Sequence, residues 1–110
     1  TLSICITAQP DPLPPLPAAV EVAAYRIALE AITNVVRHAQ AQQCDVCLRV
    51  VANGRAQLQI EITDNGIGLP AGLHLGVGLS SMRERAEELG GSLSVTKLAK
   101  GTRLIAQLPL

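Results

Sequence analysis

The sequence predicts an α+β fold, a two-layer α/β sandwich in which a mixed five-stranded sheet carries its helices on one face. Three observations predict it. Hydrophobic periodicity along the chain gives the order β-α-β-β-α-β-β. Asn53-Gly54 and Lys100-Gly101 fall between alternating segments, where they make hairpin turns rather than crossovers. The long segment Ala24–Ala39, AYRIALEAITNVVRHA, divides at helical spacing into an apolar side able to dock on a sheet and a polar side. The 110 residues suit one domain, 1–110, with one core.

The elements follow in order. Leu2–Ala8 (LSICITA) is strand-like, and Pro10–Pro17 (PDPLPPLP) admits neither helix nor central strand, so it is an extended connector. Ala18–Ala41 is the long helix, with Tyr25, Ala28, Leu29, Ile32, Val35 and Val36 expected on its apolar side. Cys44–Ala52 is a β-branched strand, and Ala56–Thr63 (AQLQIEIT) alternates cleanly. Asp64–Gly78, with glycines at 66, 68, 72, 76 and 78 and a proline at 70, is a loop with wide backbone freedom. Leu79–Leu89 is a second helix stopped by Gly90-Gly91. Ser92–Leu98 and Thr102–Leu108 are the last two strands, and the second helix, linking Ala56–Thr63 to Ser92–Leu98, is expected to allow one parallel pair.

Composition excludes several function classes. Hydrophobic residues make up 48% of the chain, so a core needs neither disulfides nor metal. Aromatic residues are 1%, Tyr25 alone, which removes any stacking platform for single-stranded nucleic acid. A formal net charge of zero argues against a nucleic-acid partner held by phosphate attraction. No apolar run nears the ~20 residues of a membrane span and no signal peptide is visible, so no membrane contact by this fragment is expected. The first residue is Thr, which suggests a piece of a longer chain. Cys44 and Cys47 form a C-x-x-C, but on a strand they point to opposite faces and no second pair completes a four-ligand site. They read as ordinary strand cysteines of a reducing cytosol, which points to a cytoplasmic location.

The polar side of the long helix brings Glu30 and Asn34 together as i, i+4 neighbours, with Arg37 and His38 a turn later. A carboxylate, an amide and a guanidinium in line suit a cation and a polyphosphate. A solvated face with Glu30 paired to Arg37 or Arg26 is the alternative. Asp64 stands where a strand meets the glycine loop. It is either an Asx-turn residue or a carboxylate held at the sheet edge to accept from an amine, with Gly66 and Gly68 letting a flat ring approach the backbone. Gly76 and Gly78 precede the second helix, whose free N–H groups attract phosphate. Neither glycine set fits dinucleotide or P-loop spacing.

Each signal is weak alone, and their order is specific. The Glu30…Asn34…Arg37-His38 helix, Asp64-x-Gly66-x-Gly68, Gly76-x-Gly78-Leu79 and Gly101-Thr102 together resemble the GHKL ATP-binding (Bergerat) fold over nearly the whole chain. That group includes sensor histidine kinases, type II topoisomerases, heat-shock 90 chaperones and mismatch-repair ATPases. RIALEAITNVVRHA resembles the N-box of bacterial sensor histidine kinases, and GVGLSSMRERAEELGGSLSV their second glycine box in the nitrate/nitrite-sensor subfamily. The resemblance implies ATP and Mg²⁺ as ligands. Asn34 would help hold Mg²⁺, and Glu30 would order water on the metal or assist proton transfer. Arg37 and His38 would face phosphate, and Asp64 would accept from the adenine amino group. Gly66 and Gly68 would flank the ring, Gly76, Gly78 and Leu79 would wrap the phosphates, and Thr102 would support Asp64 or a bridging water.

The function implied is the catalytic domain of a two-component histidine protein kinase. It would donate the γ-phosphoryl group to a histidine in a separate dimerisation and phosphoacceptor domain, with a response regulator as the downstream partner. A lid over Ile67–Val77 is expected. Neither His38 nor His74 is expected to be the acceptor, since Ala39 and Leu75 follow them where the family's acceptor precedes Asp or Glu. A non-catalytic nucleotide-sensing module and a GHKL serine kinase of the anti-sigma type stand as alternatives.

Overall fold

A computed structural model describes residues 1–67 and 77–110, apart from the side chains of residues 38, 39, 53, 77 and 78. The elements are β1 (Ser3–Gln9), α1 (Ala18–Asn34) with a π-helical turn (Val35–Ala39) at its end, β2 (Gln43–Asn53), β3 (Arg55–Asp64), α2 (Val77–Glu88), β4 (Ser92–Lys97) and β5 (Thr102–Pro109). The five strands lie in the order β1-β2-β3-β5-β4. The mixed five-stranded α+β sandwich is thus the one expected.

The parallel pair is placed differently from the expectation. β1 and β2 are parallel, joined through α1, whereas β4 is separated from β3 by β5 and pairs with β5 antiparallel. Both hairpins, β2–β3 and β4–β5, are kept in this order; with β5 beside β3, α2 carries the chain across to the outer side.

The core lies between the helices and one sheet face. Alternate residues Leu58, Ile60, Ile62 and Asp64 of β3 are buried, as are Leu104, Ala106 and Leu108 of β5. Against them α1 buries Val20, Ala23, Ile27 and Ala31, and Val35 follows in the π-helical turn. This corrects the apolar side assigned from sequence. Val35 is buried, but Tyr25, Leu29 and Val36 are 67%, 52% and 62% exposed. The buried stripe is rotated roughly a third of a turn from the one marked by the largest apolar residues. Small Ala23 and Ala31 let the helix sit close to the sheet, and Ile27 anchors it.

α2 begins at Val77, two residues before the expected start, and closes on a glycine cap. Gly91 N–H donates to Ala86 O at 2.8 Å and Gly90 N–H to Glu87 O at 2.9 Å, with Gly90 at φ +81°. On the opposite sheet face Glu61 bridges Arg49 at 3.0 Å and Arg103 at 3.3 Å. Cys44 is in the core, and Cys47 is on that other face beside Arg49 at 3.1 Å, so the C-x-x-C is split across the sheet as the strand period requires. Among the described residues no helix is long and apolar enough to cross a membrane.

Candidate functional site

One end of the sheet collects most of the expected residues. Asp64, the last residue of β3, pairs with Cys44 near the start of β2 and with Thr102 at the start of β5. Only residues 40–42 separate the π-helical turn from β2, so Asn34 and Arg37 come to the same end of the sheet. α2 runs away from this end. It is about 18 Å long and finishes just before Ser92, which pairs with Gln107 at the far end of β5. Its first turn, with Gly78 and Leu79, therefore lies on the Asp64 side.

Asp64 is 7% exposed and is the only buried charged side chain among the described residues. Its Oδ1 accepts the N–H of Gly66 at 2.9 Å. Oδ2 takes no hydrogen bond from the described residues. The Asx-turn is thus formed: one oxygen shapes the loop, and the other takes no donor from the described residues. Thr102 sits directly across the ladder, and no hydrogen bond joins its hydroxyl to the carboxylate among the described residues.

Burial, reinforced by the charges of Asp64 and Asp45, pushes the Cys44 thiol up to about 11. The cysteine beside the site is therefore a protonated, inert wall at neutral pH.

Two residues do structural work that the sequence did not assign to them. Gly101, at φ +102°, brings the β4–β5 turn against the end of β3: a Cβ there would lie 1.8 Å from the main-chain oxygen of Asp64. Asn65 Oδ1 accepts the N–H groups of both Gln42 and Gln43 at 2.9 Å, tying the loop after Asp64 to the chain leaving α1. Asn65-Gly66 reads as turn chemistry in a sequence, and nothing local marks the distant partners.

On α1, Glu30 and Asn34 are half-buried and Arg37 is exposed. Glu30 lines a cleft of about 200 Å³ between the helices with Arg26, Leu29, Ser81, Met82 and Arg85. Among the described residues it makes no ion pair, so its pairing with Arg26 or Arg37 is not realised. Regular helix ends at Asn34, and the π-helical turn that follows carries Arg37 and His38; Gln40 then reverses the chain at φ +50°. A continuous α-helix to Ala41 is therefore corrected. Such wide turns recur at functional sites because they re-aim side chains. Leu79 is buried, which leaves only its main-chain N–H for a ligand. The side chain of His38, the glycines Gly68 and Gly76, His74 and nearly all of the expected lid lie outside the described residues.

The sequence model of the histidine kinase-, DNA gyrase B-, and HSP90-like ATPases matches residues 19–110. The chain belongs to that ATPase family. It is 40% identical over 87 residues to the sensor histidine kinase YxjM of Bacillus subtilis (strain 168), covering 78% of this chain and 20% of that protein. It is 39% identical over 92 residues to the signal transduction histidine-protein kinase/phosphatase UhpB of Salmonella typhimurium, covering 80% and 17%. The chain thus spans about a fifth of the length of these curated relatives. The histidine kinase domain of the Erythrobacter litoralis EL346 blue-light activated kinase superposes with a TM-score of 0.79 at 23% identity, over 99% of this chain and 52% of that one. The catalytic domain of the histidine kinase ThkA superposes at 0.72 with 14% identity, over 98% and 78%. These two likenesses show the fold. As a member of this family the chain is a histidine-kinase-type ATPase catalytic domain, and ATP is the ligand that membership implies.

Proposed function

We propose that this domain presents ATP with Mg²⁺ to a histidine carried by a separate dimerisation and phosphoacceptor domain, for onward transfer to a response regulator. The observation that carries the reading is Asp64: a buried carboxylate at the sheet edge with one oxygen fixed by Gly66 and the other taking no donor from the described residues. An adenine amino group donates to such an oxygen, whereas guanine presents a carbonyl there. Glu30 and Asn34 fit a hard cation, being adjacent oxygen donors on half-buried helix positions, with Glu30 free of ion pairs among the described residues. A bound Mg²⁺ would supply charge neutralisation at the phosphates. Arg37 and His38 would lie along the phosphates, and Gly78 and Leu79 would offer the unpaired N–H groups of the first turn of α2. Gly66, Gly68 and Gly76 would let backbone approach the nucleotide, and Thr102 would hold a water beside Asp64.

Phosphoryl transfer needs mostly positioning and charge neutralisation, which these groups provide. The acceptor is external on this reading, because Ala39 follows His38 and Leu75 follows His74 where the family's acceptor precedes an acidic residue. The resemblance of Gly76–Val95 supports a nitrate/nitrite-sensor-type kinase, and a requirement for ATP supports a cytoplasmic location.

The test is incubation of the 110-residue chain with γ-labelled ATP and Mg²⁺. The chain should bind ATP and gain no acid-labile phosphate alone. Adding the helical phosphoacceptor segment of the same kinase should place label on that segment. Stoichiometric label on His38 or His74 would overturn this division of labour.

A further inference from the structure

We infer that Asn65 is a positioning residue that locks the base side of the nucleotide site to its phosphate side. Asn65 directly follows the buried Asp64, and its single Oδ1 takes two main-chain donors, Gln42 N–H and Gln43 N–H, each at 2.9 Å. Its own N–H donates back to Gln43 O at 3.2 Å. Gln42 and Gln43 follow the π-helical turn that carries Arg37, with only Gln40 and Ala41 between. The left-handed Gln40 leaves this segment outside the regular hydrogen-bonding of α1. One side chain therefore adds two hydrogen bonds to the main-chain ones, Asn65 N–H to Gln43 O and Ser3 N–H to Gln42 O, that set where the end of α1 stands relative to Asp64.

The consequence rests on the nucleotide reading proposed above. A ligand that touches only Asp64 needs the base side alone. A ligand that reaches from Asp64 to Arg37 needs the two sides at a fixed separation, which binding must otherwise impose at the cost of ordering the segment. Asn65 should then contribute to the affinity gained from the phosphates and little to the affinity for the base. A residue that merely supports the fold, or merely props Asp64, would weaken both equally.

The experiment measures binding of ATP·Mg²⁺ and of adenosine to the wild-type chain, Asn65→Ala and Asn65→Asp by calorimetry. Asn65→Ala should lose at least tenfold in ATP affinity and less than threefold in adenosine affinity. Asn65→Asp keeps an acceptor for both N–H groups. It should therefore keep an ATP-to-adenosine ratio closer to wild type than Asn65→Ala does. Equal losses for both ligands, an unchanged ratio in Asn65→Ala, or an Asp variant as poor as the Ala variant would overturn the inference. Should Asn65→Ala not fold, amide exchange in the wild-type protein decides: ATP should slow Gln42 and Gln43 N–H more than adenosine does, and equal slowing refutes the lock. Failure of the wild-type chain to bind ATP would instead refute the nucleotide reading.

Discussion

Gly101 and Asp64 meet backbone to backbone: any side chain on Gly101 would place its Cβ 1.8 Å from the Asp64 carbonyl oxygen and 3.0 Å from the Cα of Asn65. The turn between β4 and β5 thus packs its backbone against the end of β3. At φ +102° an L-residue is also strained, by about 1–2 kcal/mol. Gly101→Ala should lower the melting temperature and weaken ATP binding together, while Lys100→Ala, one residue away and exposed, should leave both within error. An Ala variant with wild-type ATP affinity would show that the β3 end tolerates displacement.

Asp64→Asn separates the two tasks of the carboxylate. The amide oxygen can still accept the Gly66 N–H, so the turn survives. The second oxygen becomes an NH₂ donor, which repels the adenine amino group. A hydrogen bond to a charged group is worth ~1.5–3 kcal/mol. ATP affinity should fall at least tenfold with the melting transition intact, and the parent should prefer ATP to GTP. Calorimetry with both nucleotides reads this, and equal affinity for the two in the parent would refute the adenine assignment.

Much of this was legible in the residues, and the failures have physical causes. The glycine turns and the alternation of Ala56–Thr63 define the antiparallel hairpins, because turn chemistry and period 2 are local properties. Asp64 stands out because a strand ends there against glycines. The strand order is not local, and only the sheet shows that β5 separates β3 from β4. On α1, ranking residues by apolar size picked out Tyr25 and Leu29, yet the sheet selects small Ala23 and Ala31 around Ile27. The π-helical turn after Asn34 leaves no mark in composition, and the partners of Asn65 are more than twenty positions away.

The corrected helix face can be checked directly. Ile27 is fully buried and Tyr25 is mostly exposed. Ile27→Ala should cost about 2–5 kcal/mol through lost contacts and a cavity. Tyr25→Ala, which removes the larger side chain, should stay within about 0.5 kcal/mol. Denaturant midpoints of the two variants decide it, and a reversed order would restore the face assigned from sequence.

Cys44 should make stability fall at high pH. Its thiol is pushed from 9.0 to about 11 in the folded chain by burial first, then by the charges of Asp64 and Asp45. Below pH 9 both folded and unfolded chains hold the proton, so stability does not depend on it. Between about 9 and 11 the unfolded chain releases its proton while the folded chain keeps it. The folded state then binds more protons, stability falls as pH rises, and the loss levels off above the folded value. The full loss is on the order of 3 kcal/mol. The measured quantity is the difference between wild type and Cys44→Ala in urea unfolding at pH 8 and pH 10.5, which isolates the thiol. Wild type should lose more stability between these pH values than the variant. Asp64 lies directly across the ladder from Cys44. Asp64→Asn should therefore draw the thiol back toward its ordinary value and shrink the loss without abolishing it, because burial is the larger cause. A wild-type loss no greater than that of Cys44→Ala would mean that water or a relaxed strand end admits the thiolate.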